Sequence, residues 1–269
     1  MASDPEKTWL KKWGFPSRKD YEEFIGKQLR DLDIPAQELK LSFERELEGW
    51  ARESLTGQRE RFVARIEPPP SGHSGVGGST LLKSPARVAE KVLKSWLDYL
   101  EWEKAPKEKR RKIPPLKHHP RKFLQTLPDI VRFRMVCNYL KDLRFIDEKL
   151  KTFIANDPRL QADSREDHIA IHYPGSRAGH RAIEYTIVFK EMGVRFLFEI
   201  QLMTQLQHAW DKKDHHLIYE YVRIGKGDLI PEHLRNRVAA MSELLFVTDT
   251  IFDELLEEIT HIMKESHHE

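Results

Sequence analysis

The residues best suited to chemistry lie in one short stretch, FEIQLMTQLQHAWDKKDH, at positions 198–215. It begins as an apolar, strand-like segment that nevertheless contains Glu199 and Gln201, and Asp214 and His215 follow in a helix-like run. A carboxylate can accept a proton, a hydrogen bond or a metal ion. The place of Glu199 inside an apolar strand therefore needs an explanation.

The alternation of apolar and polar side chains along two neighbouring strand-like segments partly explains the position of Glu199. Successive side chains of a strand point to opposite faces, so the large apolar residues share one face while Glu199 and Gln201 share the other. The segment HRAIEYTIVFK at 180–190 alternates in the same way and puts Glu184 on its less apolar face. If the two strands pair as a hairpin, Glu184, Glu199 and Gln201 gather on one face. Such a face suits a cation or a nucleotide, and an ordinary solvent-facing sheet explains the same pattern.

Strands and helices alternate along the rest of the chain. A β-branched and aromatic run predicts a strand from about 130 to 137, and ERFVARIEP at 60–68 predicts a shorter one. Helices are expected over residues 17–32, 35–55, 84–102, 140–154, 204–222 and 231–264, and a loop over 155–166. The pattern predicts an α/β fold with a helical N-terminal extension (1–58), a central domain (59–225) and a helical C-terminal extension (226–269).

Composition narrows the class of protein. With 269 residues, 39% of them hydrophobic, the chain can bury one sizeable core. The single cysteine, Cys137, excludes a disulfide framework and indicates a reducing compartment. The polar start and the lack of an apolar run of membrane-spanning length predict a cytoplasmic protein without membrane contact. The net charge of +2 says little about partners, but segment 104–122 holds nine Lys and Arg against one Glu.

Two apparent motifs do not carry a function. The glycine-rich stretch 72–80 nearly matches a phosphate-binding P-loop, but Gly78 stands where the lysine must be, so a plain loop is expected. His208, Asp211 and His215 share one helix face at a spacing that could bind zinc. With thirteen histidines in the chain, chance is the better explanation of that spacing.

Four short segments, two of them within the stretch 198–215, form an ordered set: DIVRFR (129–134), GHRAIEY (179–185), FEIQLMT (198–204) and HAWDKKDH (208–215). In order and approximate spacing they resemble the synthetase domain of the RelA/SpoT-type alarmone synthetases. KSPARVAEK at 83–91 is similar to a helix start of the same family, and the resemblance covers roughly residues 60–222. It implies a mixed β-sheet flanked by helices, similar to nucleotidyltransferases. It also implies transfer of the β,γ-pyrophosphate of ATP to a ribose 3′-hydroxyl, usually that of GDP or GTP.

Site residues follow from the resemblance position by position. Asp129 and Glu199 match the two catalytic carboxylates that handle Mg²⁺, and Glu199 is also a candidate general base. Lys83, Lys91 and Arg134 match the residues that bind the phosphates of ATP, and Arg87 joins this set through its place beside Lys91 on the helix. Arg87 and Lys91 lie four residues apart on one helix face, a spacing that a solvated surface also explains. The residues expected to bind the acceptor are His180, Gln201 and His215. Trp210 also matches the family, and a structural role is the simpler interpretation for it.

Five positions depart from the family pattern. Arg87 replaces a Ser, Arg132 a Gly, and His180 the Tyr that stacks on the acceptor guanine. Glu184 replaces a His and Met203 an Arg, and both changes remove a possible cation from a site for triphosphate. Arg132 or Arg177 would be the nearest replacement.

These departures leave two functions open. The first is a pyrophosphokinase with ATP as donor and a guanine or adenine nucleotide, or the 3′ end of a tRNA, as acceptor. Some toxic, single-domain members of the superfamily modify the 3′ end of tRNA, and terminal helices of such members can mediate control by a neutralising protein partner. Segment 104–122 would supply phosphate contacts to a tRNA, or would be a charged linker. The second is a catalytically impaired module that binds nucleotide or RNA, or a protein partner. No histidine precedes His73, so the family's hydrolase site is not expected.

Overall fold

The computed structural model describes residues 5–56, 64–67, 81–104, 120–172, 179–191, 193–223 and 226–266. Most of the basic segment 104–122, the glycine-rich stretch 72–80 and Arg177 lie outside these ranges. Among the described helices, none has the length and apolar character needed to cross a membrane.

The described helices and strands alternate as a mixed α/β protein requires. The helices are α1 (Pro5–Lys12), α2 (Arg18–Thr56), α3 (Pro85–Lys104), α4 (Phe123–Thr126), α5 (Leu140–Asn156), α6 (Gln205–Asp214), α7 (Glu220–Arg223) and α8 (Glu232–Glu265). The strands are β1 (Ala64–Glu67), β2 (Val131–Cys137), β3 (Leu160–Asp167), β4 (Ile183–Glu191) and β5 (Val194–Thr204). The predicted α/β class with flanking helices is confirmed.

The five strands form one sheet in the order β1-β2-β5-β4-β3. Strands β2 and β5 are parallel, and the other neighbouring pairs are antiparallel. The predicted hairpin is formed by β4 and β5, and Gly193 turns the chain between them with a φ of 80°. The register puts Arg132 beside Glu199, and it puts Arg134, Gln201 and Glu184 in one row across three strands.

One face of the sheet packs against an aromatic core. The ring of Phe43 on α2 lies 5.7 Å from that of Phe133 and 6.2 Å from that of Phe198, measured between ring centroids. Phe153 on α5 completes this contact at 5.4 Å. The buried apolar cluster runs without a break from α1 and α2 into the sheet. The N-terminal helices therefore share the core of the central domain, and the boundaries predicted at 58/59 and 225/226 stay predictions.

Two local predictions were wrong. Helix α2 continues through Pro35, where two separate helices were expected. A proline inside a helix costs about 3 kcal/mol. The buried stripe of Leu32, Ala36 and Leu39 crosses it at helical spacing, and its burial offsets that cost. Residues 160–167 form the edge strand β3 instead of a loop. Only Leu160 of this strand is buried, so its sequence lacks the apolar alternation that marks a strand, and backbone pairing with β4 defines it.

Candidate active site

Asp129 lies at the centre of a cluster of cations. A short 3₁₀ turn, Pro128–Ile130, precedes β2 and buries the Asp129 side chain. The backbone N–H of Lys83 donates to the carbonyl of Ile130 at 2.9 Å, which holds the segment before α3 against this turn. Lys83 Nζ consequently lies 2.5 Å from Asp129 Oδ2. Lys91, two turns along α3, donates to the same oxygen.

These contacts decide the ionisation of the cluster. Burial alone would raise the pKa of Asp129, but Lys83, Lys91 and Arg132 hold it well below its ordinary value. Burial lowers the pKa of Lys83 to about 8, and Asp129 only partly opposes that effect. Asp129 is therefore a carboxylate at neutral pH, shared by several cations.

Arg132 links Asp129 to Glu199. Its terminal NH2 group donates to Asp129 Oδ2 at 3.3 Å, and its Nε lies 3.0 Å from Glu199 Oε1. One guanidinium group thus lies between the two carboxylates that the motifs predict to be catalytic. The arginine occupies the position where the family pattern has a glycine.

A row of polar side chains continues from Glu199 across the sheet. Gln201 donates through Nε2 to Glu199 Oε1 and to Glu184 Oε1, each at 2.7 Å. Its Oε1 accepts from Arg134 Nε at 3.0 Å. Arg134 is almost fully buried and also pairs with Asp211 Oδ2 at 2.7 Å. The alternation that predicted a shared face for Glu184, Glu199 and Gln201 is confirmed by these contacts.

His180 closes the network at the far end. Its Nδ1 lies 2.8 Å from Asp211 Oδ1 and its Nε2 lies 3.2 Å from Glu184 Oε1. Each nitrogen of the imidazole ring thus faces a carboxylate oxygen. The side chain is only 5% exposed. Stacking on an acceptor base would require this ring to become exposed, and that role stays a prediction.

Trp210 and His215 differ in position. Trp210 is buried and donates from its indole N–H to the carbonyl of Val238 on α8 at 2.8 Å. Its ring packs on Gly179, whose φ is 92° and where a Cβ atom would come within 2.5 Å of the indole. Trp210 thus has the structural role expected of it. His215 opens a π-helical turn, His215–Tyr219, and partial burial lowers the pKa of its imidazole.

The structure gathers most, but not all, of the predicted site residues. Arg87 pairs with Glu90 on its own helix at 3.2 Å. His215 lies 3.4 Å from Glu220 and packs against Tyr219. The connected network contains four cations and four carboxylates: Lys83, Lys91, Arg132 and Arg134 with Asp129, Glu184, Glu199 and Asp211. Apart from His180, its formal charges balance.

Two features of the site were missed or misjudged from sequence. Asp211 was considered only as part of a zinc trio, although it holds both Arg134 and His180. Its position within HAWDKKDH was the available signal. Met203, where the family has an arginine, is fully buried in a small apolar cluster with Val136 and Ala182. This position contributes packing to the protein interior.

The donor atoms fit a divalent cation only in part. Asp129 Oδ1 is buried without a hydrogen-bond partner, and Glu199 supplies a second carboxylate beside it. Magnesium takes one or two carboxylates together with phosphate oxygens and water, so this donor set suits it. Arg132 lies between the two carboxylates, however. Within the described ranges, no group of three or more His, Cys, Asp or Glu is arranged to hold a metal.

Fold and site together define a mixed α/β protein with a network of buried charges on one face of its sheet. Comparison with known proteins narrows this class, although no protein-family model matches the chain. Over 154 residues, 56% of its length, the chain is 29% identical to the GTP pyrophosphokinase YjbM of Bacillus subtilis. The match spans 65% of that relative, just under two thirds of its length.

Two solved structures have the same fold. The small alarmone synthetase 1 from Bacillus subtilis, bound to its product pppGpp, aligns with a TM-score of 0.50 at 18% identity, over 87% of this chain and 99% of that one. A GTP pyrophosphokinase family protein from Streptococcus pneumoniae aligns with a TM-score of 0.53 at 16% identity, over 88% and 96% of the two chains. The predicted resemblance to a RelA/SpoT-type small alarmone synthetase domain is confirmed.

Proposed function

We propose that the chain is an ATP-dependent pyrophosphokinase that transfers the β,γ-pyrophosphate of ATP to the ribose 3′-hydroxyl of an acceptor. The observation that carries this proposal is the convergence of Asp129 and Glu199 on one guanidinium group beside Lys83 and Lys91. The similarity to a GTP pyrophosphokinase and to a synthetase bound to pppGpp supports GDP or GTP as the acceptor.

Each residue has a role that its position supports. Lys83, Lys91 and Arg134 bind the phosphates of ATP and neutralise the charge that spreads over them during transfer. Glu199 accepts the proton of the attacking 3′-hydroxyl as the new bond to the β-phosphorus forms. The bond from the β-phosphorus to the oxygen shared with the α-phosphate breaks, and AMP leaves.

Asp129 and Glu199 would hold Mg²⁺. When bound, the ion supplies charge neutralisation and helps align the phosphates. Arg87 and the acceptor residues His180, Gln201 and His215 keep their sequence-predicted roles as part of this proposal. Cytoplasmic location belongs to the proposal as well, and the free, buried thiol of Cys137 agrees with a reducing compartment.

Label transfer tests the proposal. The purified chain is incubated with Mg²⁺ and ATP labelled in either the β- or the γ-phosphate, with GDP, GTP, ADP, ATP or tRNA as acceptor. Equal transfer of both labels to GDP or GTP is expected, because pyrophosphate moves as a unit. Label transfer to tRNA alone would show that tRNA, and not GDP or GTP, is the acceptor, and the reaction would still be a pyrophosphate transfer. No transfer to any acceptor by folded protein would reject the enzyme.

A matched pair of variants connects the reaction to the site. Glu199→Gln should lower the rate of label transfer by about 10²- to 10⁴-fold, the range usual for loss of a general base. Glu148→Gln makes the same change at an exposed position on α5 and should leave the rate within about twofold. Equal rates for the two variants would remove Glu199 from the mechanism.

A binding module is the second candidate, because buried Met203 cannot serve as the phosphate-binding arginine of the family. Calorimetry separates the two functions. ATP binding that is independent of Mg²⁺ and unchanged in Glu199→Gln would favour the module. A neutralising protein partner is compatible with both candidate functions.

A further inference from the structure

The position of Arg132 is set by the sheet and not by a flexible loop. Arg132 lies in β2 directly beside Glu199 in the parallel register with β5. Its side chain is 17% exposed, and it contacts Asp129 on one side and Glu199 on the other. The arginine is therefore held between the two carboxylates by backbone geometry as well as by charge.

This arrangement has an electrostatic consequence for a metal ion. A guanidinium group and a divalent cation that occupy the same gap between two carboxylates repel each other strongly, because the site is shielded from water. An arginine side chain keeps its proton in proteins, so Arg132 cannot relieve the repulsion by becoming neutral. A free divalent ion must consequently displace Arg132 to reach the pair.

A polyphosphate removes this obstacle. Apart from His180, the formal charges of the cluster balance before any ligand binds, so a bound polyphosphate adds negative charge that cations can neutralise. Arginine binds phosphate oxygens in a planar, bidentate geometry, which gives the displaced guanidinium group a new partner. The carboxylates are then free to receive the divalent ion. Phosphate binding and metal binding thus become coupled through one side chain.

We propose that Arg132 is an internal counter-ion that keeps the Asp129–Glu199 pair closed to divalent cations until a nucleotide polyphosphate binds. The proposal rests on the proposed function only in assigning a polyphosphate to this site. It gives a role to a residue that replaces the family's glycine. Because coupling between two ligands is reciprocal, the divalent ion must raise the affinity for the nucleotide by the same factor.

Binding of Mn²⁺ without turnover tests the proposal. The free Mn²⁺ signal is followed by electron paramagnetic resonance as the full chain is titrated, with and without an ATP analogue carrying a methylene group between the α- and β-phosphates. A titration of the analogue alone corrects for the Mn²⁺ that it binds itself. Wild type should bind Mn²⁺ weakly alone and at least about tenfold more tightly with the analogue.

Variants at position 132 decide the outcome. Arg132→Met removes the charge and should bind Mn²⁺ alone at least about tenfold more tightly than wild type, with a smaller gain from the analogue. Arg144→Met, which breaks an exposed ion pair with Asp167, is the control and should match wild type. Adding Asp129→Asn to Arg132→Met should abolish the gain. Equal Mn²⁺ affinity in wild type and folded Arg132→Met would overturn the proposal.

A second variant covers the case in which Arg132→Met fails to fold. Arg132→Lys keeps the charge, but a single ammonium group cannot bond both carboxylates in the planar geometry of a guanidinium group. Its Mn²⁺ affinity should rise about threefold, and an unchanged value would overturn the proposal. The result is independent of turnover. If the protein transfers no pyrophosphate but Arg132→Met binds Mn²⁺ more tightly, the proposed function fails and the counter-ion proposal stands. If the protein is active but Arg132→Met binds Mn²⁺ no more tightly, the counter-ion proposal fails.

Discussion

Asp129 and Asp249 are nearly equally buried, at 4% and 2% exposed, yet their environments push their ionisation in opposite directions. Asp129 faces Lys83, Lys91 and Arg132, and its pKa lies well below the ordinary value. Asp249, on α8, accepts a hydrogen bond from the hydroxyl of Thr204 at 2.5 Å. Burial raises its pKa to about 6, and the nearby Asp253 adds to the rise. Burial therefore does not decide the charge of a carboxylate; the cations around it do.

The difference in pKa distinguishes the candidate active site around Asp129 from a structural contact around Asp249. Around Asp129 the chain concentrates buried charge, and our proposal is that these groups exchange partners when a ligand binds. Around Asp249 it uses a carboxylate and a hydroxyl to dock α8 onto the end of β5, with no cation among the forces that set its pKa. The same substitution at the two positions should consequently affect different properties.

The largest effect is expected from Asp129→Asn. This variant leaves Lys83, Lys91 and Arg132 without their shared carboxylate and removes a metal donor, so kcat/KM for pyrophosphate transfer should fall by about 1,000-fold or more. Asp249→Asn is the control for burial and residue type and should stay within about threefold of wild type. Similar losses in both variants would show that the comparison reflects general damage to the fold.

An intermediate effect, on stability, is expected from Asp249→Asn. The folded protein holds a proton on Asp249 up to about pH 6, whereas the unfolded chain releases it near its ordinary pKa of 3.8. Wild-type stability should therefore fall as the pH rises through this window. A neutral asparagine avoids that loss, so the free energy of unfolding of the variant at pH 7.5 should exceed that of wild type by roughly 3 kcal/mol.

Urea unfolding at pH 7.5 and pH 4 measures this effect. The gain should shrink towards zero at pH 4, where the wild-type carboxyl is also protonated in the folded state. Asp228→Asn, at a carboxylate in an exposed turn, provides the control. A variant that is no more stable than wild type at pH 7.5 would show that Asp249 is stabilised in its charged form.

The smallest of these effects is expected from Lys83→Met. Removing one buried ammonium group from the phosphate side should weaken ATP binding by about tenfold, since Lys91 and Arg134 remain. Lys94→Met, at an exposed position on the same helix, should bind ATP as wild type does. Calorimetric titration with Mg²⁺ and a non-hydrolysable ATP analogue compares the two. Equal affinities would place the triphosphate away from the Asp129 end of the face.

Much of the fold is readable from local patterns. Strands β2 and β5 have the β-branched and aromatic content of buried strands, and their alternation put Glu199 and Gln201 on the face opposite the phenylalanines. Two elements were predicted wrongly because their local sequences do not reveal the contacts that they make in the folded protein. The edge strand β3 is polar along nearly its whole length, and α2 tolerates Pro35 because tertiary packing outweighs a local penalty.

The candidate site divides in the same way. Ordered motifs located Asp129, Glu199, Lys83, Lys91 and Arg134, and the structure brings all five into one network. No motif indicated that Arg132 would lie between the two carboxylates, or that Asp211 would hold His180. The contacts of Arg132 with Glu199 and of Asp211 with His180 join residues that are distant along the chain, and the register of β2 on β5 and the docking of α6 create them.

By itself the sequence determined which residue types are available, which strand face each one occupies and which family the chain resembles. These properties follow from side-chain alternation, helical spacing and the order of short motifs, all of which are local. Only the tertiary structure decided the partners. The strength and ionisation of a buried charge depend on which groups lie within a few ångströms of it, and that distance is set by the packing of segments far apart in the chain. Asp129 and Asp249 are residues of the same type, and their pKa values differ because their neighbours in space differ.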